Sequence, residues 1–201
     1  MTSIESNIRE HISRLRRGSV FYPADFEEYG SSEAVRIALF RLAETGIIKR
    51  LAHGIYAKPY KSKYIGDVYP GAEEIAKAIA KRDKARLLPT GIAAQNKLGL
   101  STQVPMNFVY YTDGPARTVK LENATITFRK ASPKKMALRG KISKLVVMAL
   151  TDIGQDNLTE KEENKILNVL QNEKSEDLKH DIKMAPRCIG RIMAKALNEE
   201  L

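Results

Sequence analysis

The residues in this chain with chemistry to offer are cations, at spacings that suit an anionic partner. Arg36 and Arg41 lie in a segment of helical period, with Ser31 and Ser32 at its N-terminal end. Lys49, Arg50 and His53 surround an "HG" turn signal, and Arg16 and Arg17 close the first apolar-periodic run. Lysine and arginine neutralise phosphates, and residues at the start of an exposed helix reach base edges. Arg36 is either a bidentate contact to guanine, the reading favoured, or a solvated helix arginine beside Glu33. Arg41 is either a phosphate contact or a solvated helix arginine beside Glu44. Arg16 and Arg17 either meet phosphates or complement a helix dipole. Lys49 and Arg50 either lie near phosphates or carry charge that protects an edge strand.

These residues need elements to hold them. Ile4, Ile8, Ile12 and Leu15 predict a helix from about Ser3 to Arg17, stopped at Gly18. "SVFY" is β-prone, and Pro23 suits the first turn of a short helix, "PADFEEY". Ser31 or Ser32 can cap the next helix, in which Val35, Ala38, Leu39 and Leu42 share one face. Glu33, Ile37, Phe40 and Glu44 then point outward, and Gly46 ends the helix. "IIKRLA" and "GIYAK" flank "HG" as a hairpin. The pattern over residues 1–60 is a helix-turn-helix followed by a wing.

"PYKSKYIGDVYPG" reads as a linker, placed at 61–69. Residues 70–201 are expected to form a second, effector domain. It would hold a helix over Ala72–Arg82, a short helix stopped at Gly99, and strands at "NFVYYT", "RTVKL" and "ATITFRK" forming a small antiparallel sheet. "KISKLVVMALTDIG" is an apolar helix, with two more near Thr159–Asn172 and Asp177–Asn198. The expected fold class is α+β.

At 43% hydrophobic and 29% charged, the 201 residues have the composition of a packed globular chain. The net charge is +10 and the pI about 9.6. The net charge is +2 over residues 1–60, +9 over 61–140 and −1 over 141–201. A DNA interface confined to the first sixty residues would leave the basic middle unexplained. Its runs "KRDKAR" and "FRKASPKK" suit an RNA or an acidic protein face, and equally a solvated surface. One cysteine, Cys188, excludes an internal disulfide and a cysteine zinc site. No apolar run approaches a membrane span and the first residues lack a signal-peptide core, so the expectation is a cytoplasmic protein.

Little points to catalysis. His11, His53 and His180 are scattered without metal-ligand spacing, and Cys188 sits in an apolar helical pattern. No G-x-S-x-G, P-loop or dinucleotide fingerprint occurs. "YGSSEAV" contains Gly-Ser without a following D-x-D and reads as a helix cap. The expectation is a protein that is not an enzyme, with neither metal nor cofactor.

"GSVFYPADFEEYGSSEAVRIALFRLAETGIIKRLAHGIYAKP" resembles the N-terminal winged helix of AbiEi-type antitoxins of abortive-infection systems and their small bacterial relatives. "PTGIAAQNKLGLSTQVPMNFVYYTDGPARTVKLENATITFRK" resembles the effector region of the same family. Together they span about Gly18 to Lys130. The resemblance implies a repressor that binds double-stranded DNA at its own promoter. It also implies an antitoxin opposing a nucleotidyltransferase-like toxin, through the toxin or its RNA target. Lys130, Lys134 and Lys135 are the expected effector surface. A stand-alone regulator and an RNA- or protein-binding module are the alternatives.

Overall fold

The computed structural model describes residues 3–64, 66–103, 105–154 and 157–197. The chain is α+β and divides into two compact units, Met1–Ile79 with Val119–Ala124, and Ala80–Thr118 with Thr125–Leu201. The first division thus falls within the helix Ala72–Arg82, well after the expected boundary at residue 60.

The first unit opens with α1 (Ile4–Arg14), capped where Ser3 Oγ accepts from the Ser6 amide at 3.1 Å. It ends three residues before the expected Arg17. The cause is tertiary: Lys58 Nζ donates to the carbonyls of Ser13 (2.5 Å) and Leu15 (2.8 Å), satisfying the helix end. Gly18, at φ +77°, then turns the chain, and Gly18 and Ser19 exchange backbone hydrogen bonds with Lys58.

Strand β1 (Val20–Phe21) leads into a 3-10 turn, Pro23–Tyr29, which places Phe26 in the core. Helix α2 (Ser32–Glu44) starts at Ser31, whose Oγ accepts from the Ala34 amide at 3.3 Å. Strands β2 (Lys49–Ala52) and β3 (Ile55–Ala57) follow, and an antiparallel sheet of order β1-β3-β2 closes the unit, with Tyr56 opposite both Phe21 and Arg50. Ile8, Ile12, Phe26, Val35, Leu39 and Leu42 form the core between helices and sheet.

The segment expected to be a linker is structured. Strands β4 (Tyr60–Ser62) and β5 (Gly66–Val68) pair antiparallel. Helix α3 (Ala72–Arg82) follows.

The second unit contains β6 (Leu87–Pro89), α4 (Ile92–Lys97), β7 (Asn107–Thr112), β8 (Arg117–Lys120) and β9 (Thr125–Lys130). The sheet order is β6-β7-β9-β8, with β6–β7 antiparallel and β7–β9 parallel. This corrects the expected antiparallel sheet. The "DG" turn after β7 does not fold β8 back beside it. Asp113 instead accepts from the Arg86 amide (2.7 Å) and Arg86 Nε (2.8 Å), and Lys130 Nζ donates to the Asp113 carbonyl at 2.6 Å. The turn is thereby tied to the start of β6 and the end of β9.

Helices α5 (Pro133–Met136), α6 (Lys141–Ile153), α7 (Glu160–Leu170), α8 (Ser175–Met184) and α9 (Arg187–Ala194) complete the unit, with a 3-10 turn at Lys195–Leu197. One helix was expected over Asp177–Asn198. Pro186 divides it, because a proline has no amide for the ladder and forces Ala185 into an extended conformation, at ψ 158°. The last residue of that expectation, Asn198, lies outside the described residues.

Helix α6 runs through the core, burying Val146, Val147, Met148, Ala149 and Leu150. Its N-cap is Gly140, which offers no side chain. Two distant carboxylates serve instead. Glu173 Oε2 accepts from the amides of Ile142 (2.6 Å) and Ser143 (3.1 Å). Asp181, fully buried, accepts from the amides of Arg139 (2.8 Å) and Gly140 (2.8 Å), from Ser143 Oγ (2.5 Å) and from His180 Nδ1 (2.9 Å). A Cβ at Gly140 would stand 2.5 Å from Glu173 Oε2, so only glycine leaves room for these carboxylates. Burial raises the Asp181 pKa, but the hydrogen bonds from Ser143, His180, Arg139 and Gly140 outweigh it and hold the carboxyl below its ordinary value.

Candidate nucleic-acid interface

Helix α2 buries Val35, Ala38, Leu39 and Leu42, which leaves Ser31, Ser32, Glu33, Arg36, Ile37, Phe40, Arg41 and Glu44 in solvent. Arg36 Nε donates to the Ser32 carbonyl at 3.1 Å, and its two terminal nitrogens have no partner among the described residues. The guanidinium is thus aimed along the first turn, with its donor fork open. Arg41 lies 4.0 Å from Glu5 of α1, an exposed pair of little energetic weight. That contact is with Glu5 and not with Glu44, and it leaves Arg41 free to exchange a carboxylate for a phosphate.

Two large apolar side chains share the outward face, Ile37 at 46% and Phe40 at 52% exposure. Phe40 is therefore not packed away on α1 or the hairpin. Such residues suit contact with thymine methyl groups. Phe40→Ala is expected to change unfolding free energy by no more than about 0.5 kcal/mol, as for a surface position. A larger loss in urea denaturation would mean that Phe40 belongs to the core.

In the β2–β3 turn, Arg50 Nη2 donates to His53 Nδ1 at 3.3 Å, so the two side chains present one surface beside Gly54, at φ +67°. Lys49 departs from them. Its Nζ pairs with Glu122 at 3.1 Å and stands 5.8 Å from the Tyr69 ring centroid, an anchoring role within the first unit. Arg16 and Arg17 are exposed but do not cap α1, since Lys58 takes its carbonyls. They line a cleft of about 360 Å³ with Tyr60, Tyr69 and Glu74.

The three expected effector lysines separate in role. Lys130 holds the turn at Asp113, which removes it from a free surface. Lys135 Nζ sits 4.0 Å from the Tyr111 ring centroid, a cation–π contact. Lys134 alone has no partner among the described residues, and it faces Lys183, Arg187 and Arg191 across a cleft. Those last three were missed in the sequence, although their i, i+4, i+8 spacing was readable. They lie in the third of the chain whose net charge is −1, which hid them.

Cys188 is half-buried and packs against the second unit's core. Among the described residues no group of three His, Cys, Asp or Glu side chains is placed to hold a metal ion, and no helix is long and apolar enough to cross a membrane.

The fold resembles the crystal structure of the RV2827C protein from Mycobacterium tuberculosis, with a TM-score of 0.54 at 14% identity, over 97% of this chain and 76% of that one. No curated protein matches the sequence. The model of a family of unknown function, DUF6088, matches residues 7–178, and the chain belongs to that family.

Proposed function

We propose that the first unit is a winged helix-turn-helix that binds double-stranded DNA at the protein's own promoter. The observation that carries this reading is α2, a helix packed by one face only, with Ser31, Ser32, an open-forked Arg36 and Phe40 on the other. Arg50 and His53 in the following turn supply a wing, and Arg41, Arg16 and Arg17 supply phosphate contacts. Lys49, engaged by Glu122, contributes least.

On this reading the protein is a cytoplasmic repressor and AbiEi-like antitoxin, not an enzyme, and the second unit opposes a nucleotidyltransferase-like toxin. The resemblance over Gly18 to Lys130 supports the antitoxin role. The unpartnered Lys134 favours, as a second reading, an RNA- or protein-binding module acting through the basic middle segment.

A gel shift tests the first reading. The upstream region should be preferred over random duplex, with log affinity falling by about 0.9 per phosphate neutralised for each decade of salt. Equal affinity for the two duplexes would remove the repressor role. The antitoxin role is tested by co-expression with an adjacent nucleotidyltransferase. Lys134→Glu should impair growth rescue while promoter repression and thermal stability stay near wild type. Lys130→Glu should lower stability as well, because it releases the Asp113 turn. Rescue that tracks promoter binding across such variants would place antitoxicity in the first unit.

A further inference from the structure

The cleft of about 420 Å³ beside α5, α8 and α9 carries four cations, Lys134, Lys183, Arg187 and Arg191. None has an ion-pair or hydrogen-bond partner among the described residues, while Lys195 one turn further on is paired with Glu163. Ile182, Ala185 and Pro186 form an apolar floor. The floor is shaped by the break at Pro186 and by Gly190, where a Cβ would approach the Ile182 carbonyl to 3.0 Å, so the two helices meet backbone to backbone. Four unneutralised charges of one sign around a concave surface repel one another and attract a polyanion.

We propose that this cleft binds single-stranded RNA, independently of the operator surface in the first unit. Its lining side chains are either apolar or cationic, so they offer donors and no acceptor. An acidic peptide would bring carboxylates only where its side chains reach, whereas a phosphodiester backbone carries a charge and acceptor oxygens at every link. Arg187 and Arg191 stand one turn apart on α9, and Lys183 reaches the same cleft from the end of α8, so successive phosphates can meet them in turn. The guanidinium forks of Arg187 and Arg191 match phosphate oxygens bidentately. A duplex keeps its bases inside and would bridge the cationic rims, leaving the floor in water. A single strand exposes ribose and base faces that lie on Ile182 and Pro186. RNA is the single-stranded polynucleotide that cells hold in bulk.

The test is fluorescence anisotropy of a labelled 12-mer of uridine with the full chain, titrated across salt. With four phosphate contacts, log affinity should fall by about 2.8 per decade of salt. Arg187→Ala with Arg191→Ala should reduce that slope by about 1.4 and the affinity at 0.1 M salt about 25-fold. Arg187→Lys with Arg191→Lys should keep the slope, since the charge count is unchanged. Arg36→Ala with Arg50→Ala should leave RNA affinity within twofold. If the alanine pair at 187 and 191 loses its thermal transition, Lys134→Gln with Lys183→Gln gives the same reading from the two lysines of the cleft. The proposal is overturned if the cleft variants bind uridine 12-mer as wild type does, or if the first-unit variants lose as much. Tenfold tighter binding of the deoxy 12-mer would overturn the assignment to RNA. Equal competition by a glutamate-rich peptide would overturn the assignment to a polynucleotide.

Discussion

Asp181→Ala is expected to lower the stability of the second unit by about 3–5 kcal/mol, the range for breaking a buried charge network. The carboxylate accepts from two backbone amides, one hydroxyl and one imidazole, and it is fully buried. Removing it strands the buried donors of Gly140 and Ser143, at about 1–3 kcal/mol each. It also leaves the N-terminus of α6 without half of its cap, and α6 is the helix on which this unit's core is built. Urea denaturation followed by circular dichroism would measure the loss. A change under about 1 kcal/mol, the ordinary size for a point mutation, would mean that Glu173 caps α6 alone.

The same carboxyl predicts a pH dependence. Its folded pKa lies below the unfolded value, so the stability it contributes is complete above the unfolded pKa of about 3.9. That contribution disappears as pH falls through the folded pKa. The stability gap between wild type and Asp181→Asn should therefore close in acid, below about pH 4. A gap that closes on the alkaline side would contradict the assignment.

Arg36→Ala is expected to weaken promoter binding by roughly 1–3 kcal/mol and random-duplex binding much less, the mark of a base contact. The bond from Nε to the Ser32 carbonyl fixes the side chain along the helix start, so its fork is oriented before DNA arrives. Arg50→Ala should behave differently. A phosphate contact weakens both duplexes alike and lowers the salt slope by about 0.9. If both substitutions lower specific and random binding by one factor, Arg36 is a second phosphate anchor and the base reader lies elsewhere on α2.

Local patterns were legible where a single element decides the outcome. The buried face of α2, its Ser31 cap and the hairpin around Gly54 all follow from spacing and turn residues within about twenty positions. The division at Pro186 was legible too, since proline interrupts a helix wherever it stands in the interior. A long helical period on both sides of it obscured the break. The end of α1 was not legible. It depends on Lys58, more than forty residues away, whose amine outcompetes three further residues of helix.

The same distance separates what was and was not legible in the candidate sites. Exposure of Arg36 and Phe40 follows from helical period, because the opposite face must be buried. The roles of Lys49, Lys130 and Lys135 do not, because Glu122, the Asp113 turn and the Tyr111 ring reach them only through the fold. A lysine's sequence neighbours say that it is solvated, but not which carboxylate, carbonyl or ring it meets.

By itself, then, the amino-acid order determined the excess of positive charge, which is a count of side chains, and the helical faces, caps and turns, which arise from interactions between residues close along the chain. Only the tertiary structure decided the parallel pairing of β7 with β9, the capping of α6 by Glu173 and Asp181, and the meeting of Lys134 with Lys183, Arg187 and Arg191. Each of these joins groups 18 to 57 residues apart, taking Asn107 with Thr125 and Lys134 with Arg191 as the extremes. Such contacts form only after the core has closed, since the entropy of bringing distant segments together is offset by burial of the helices and strands that carry them.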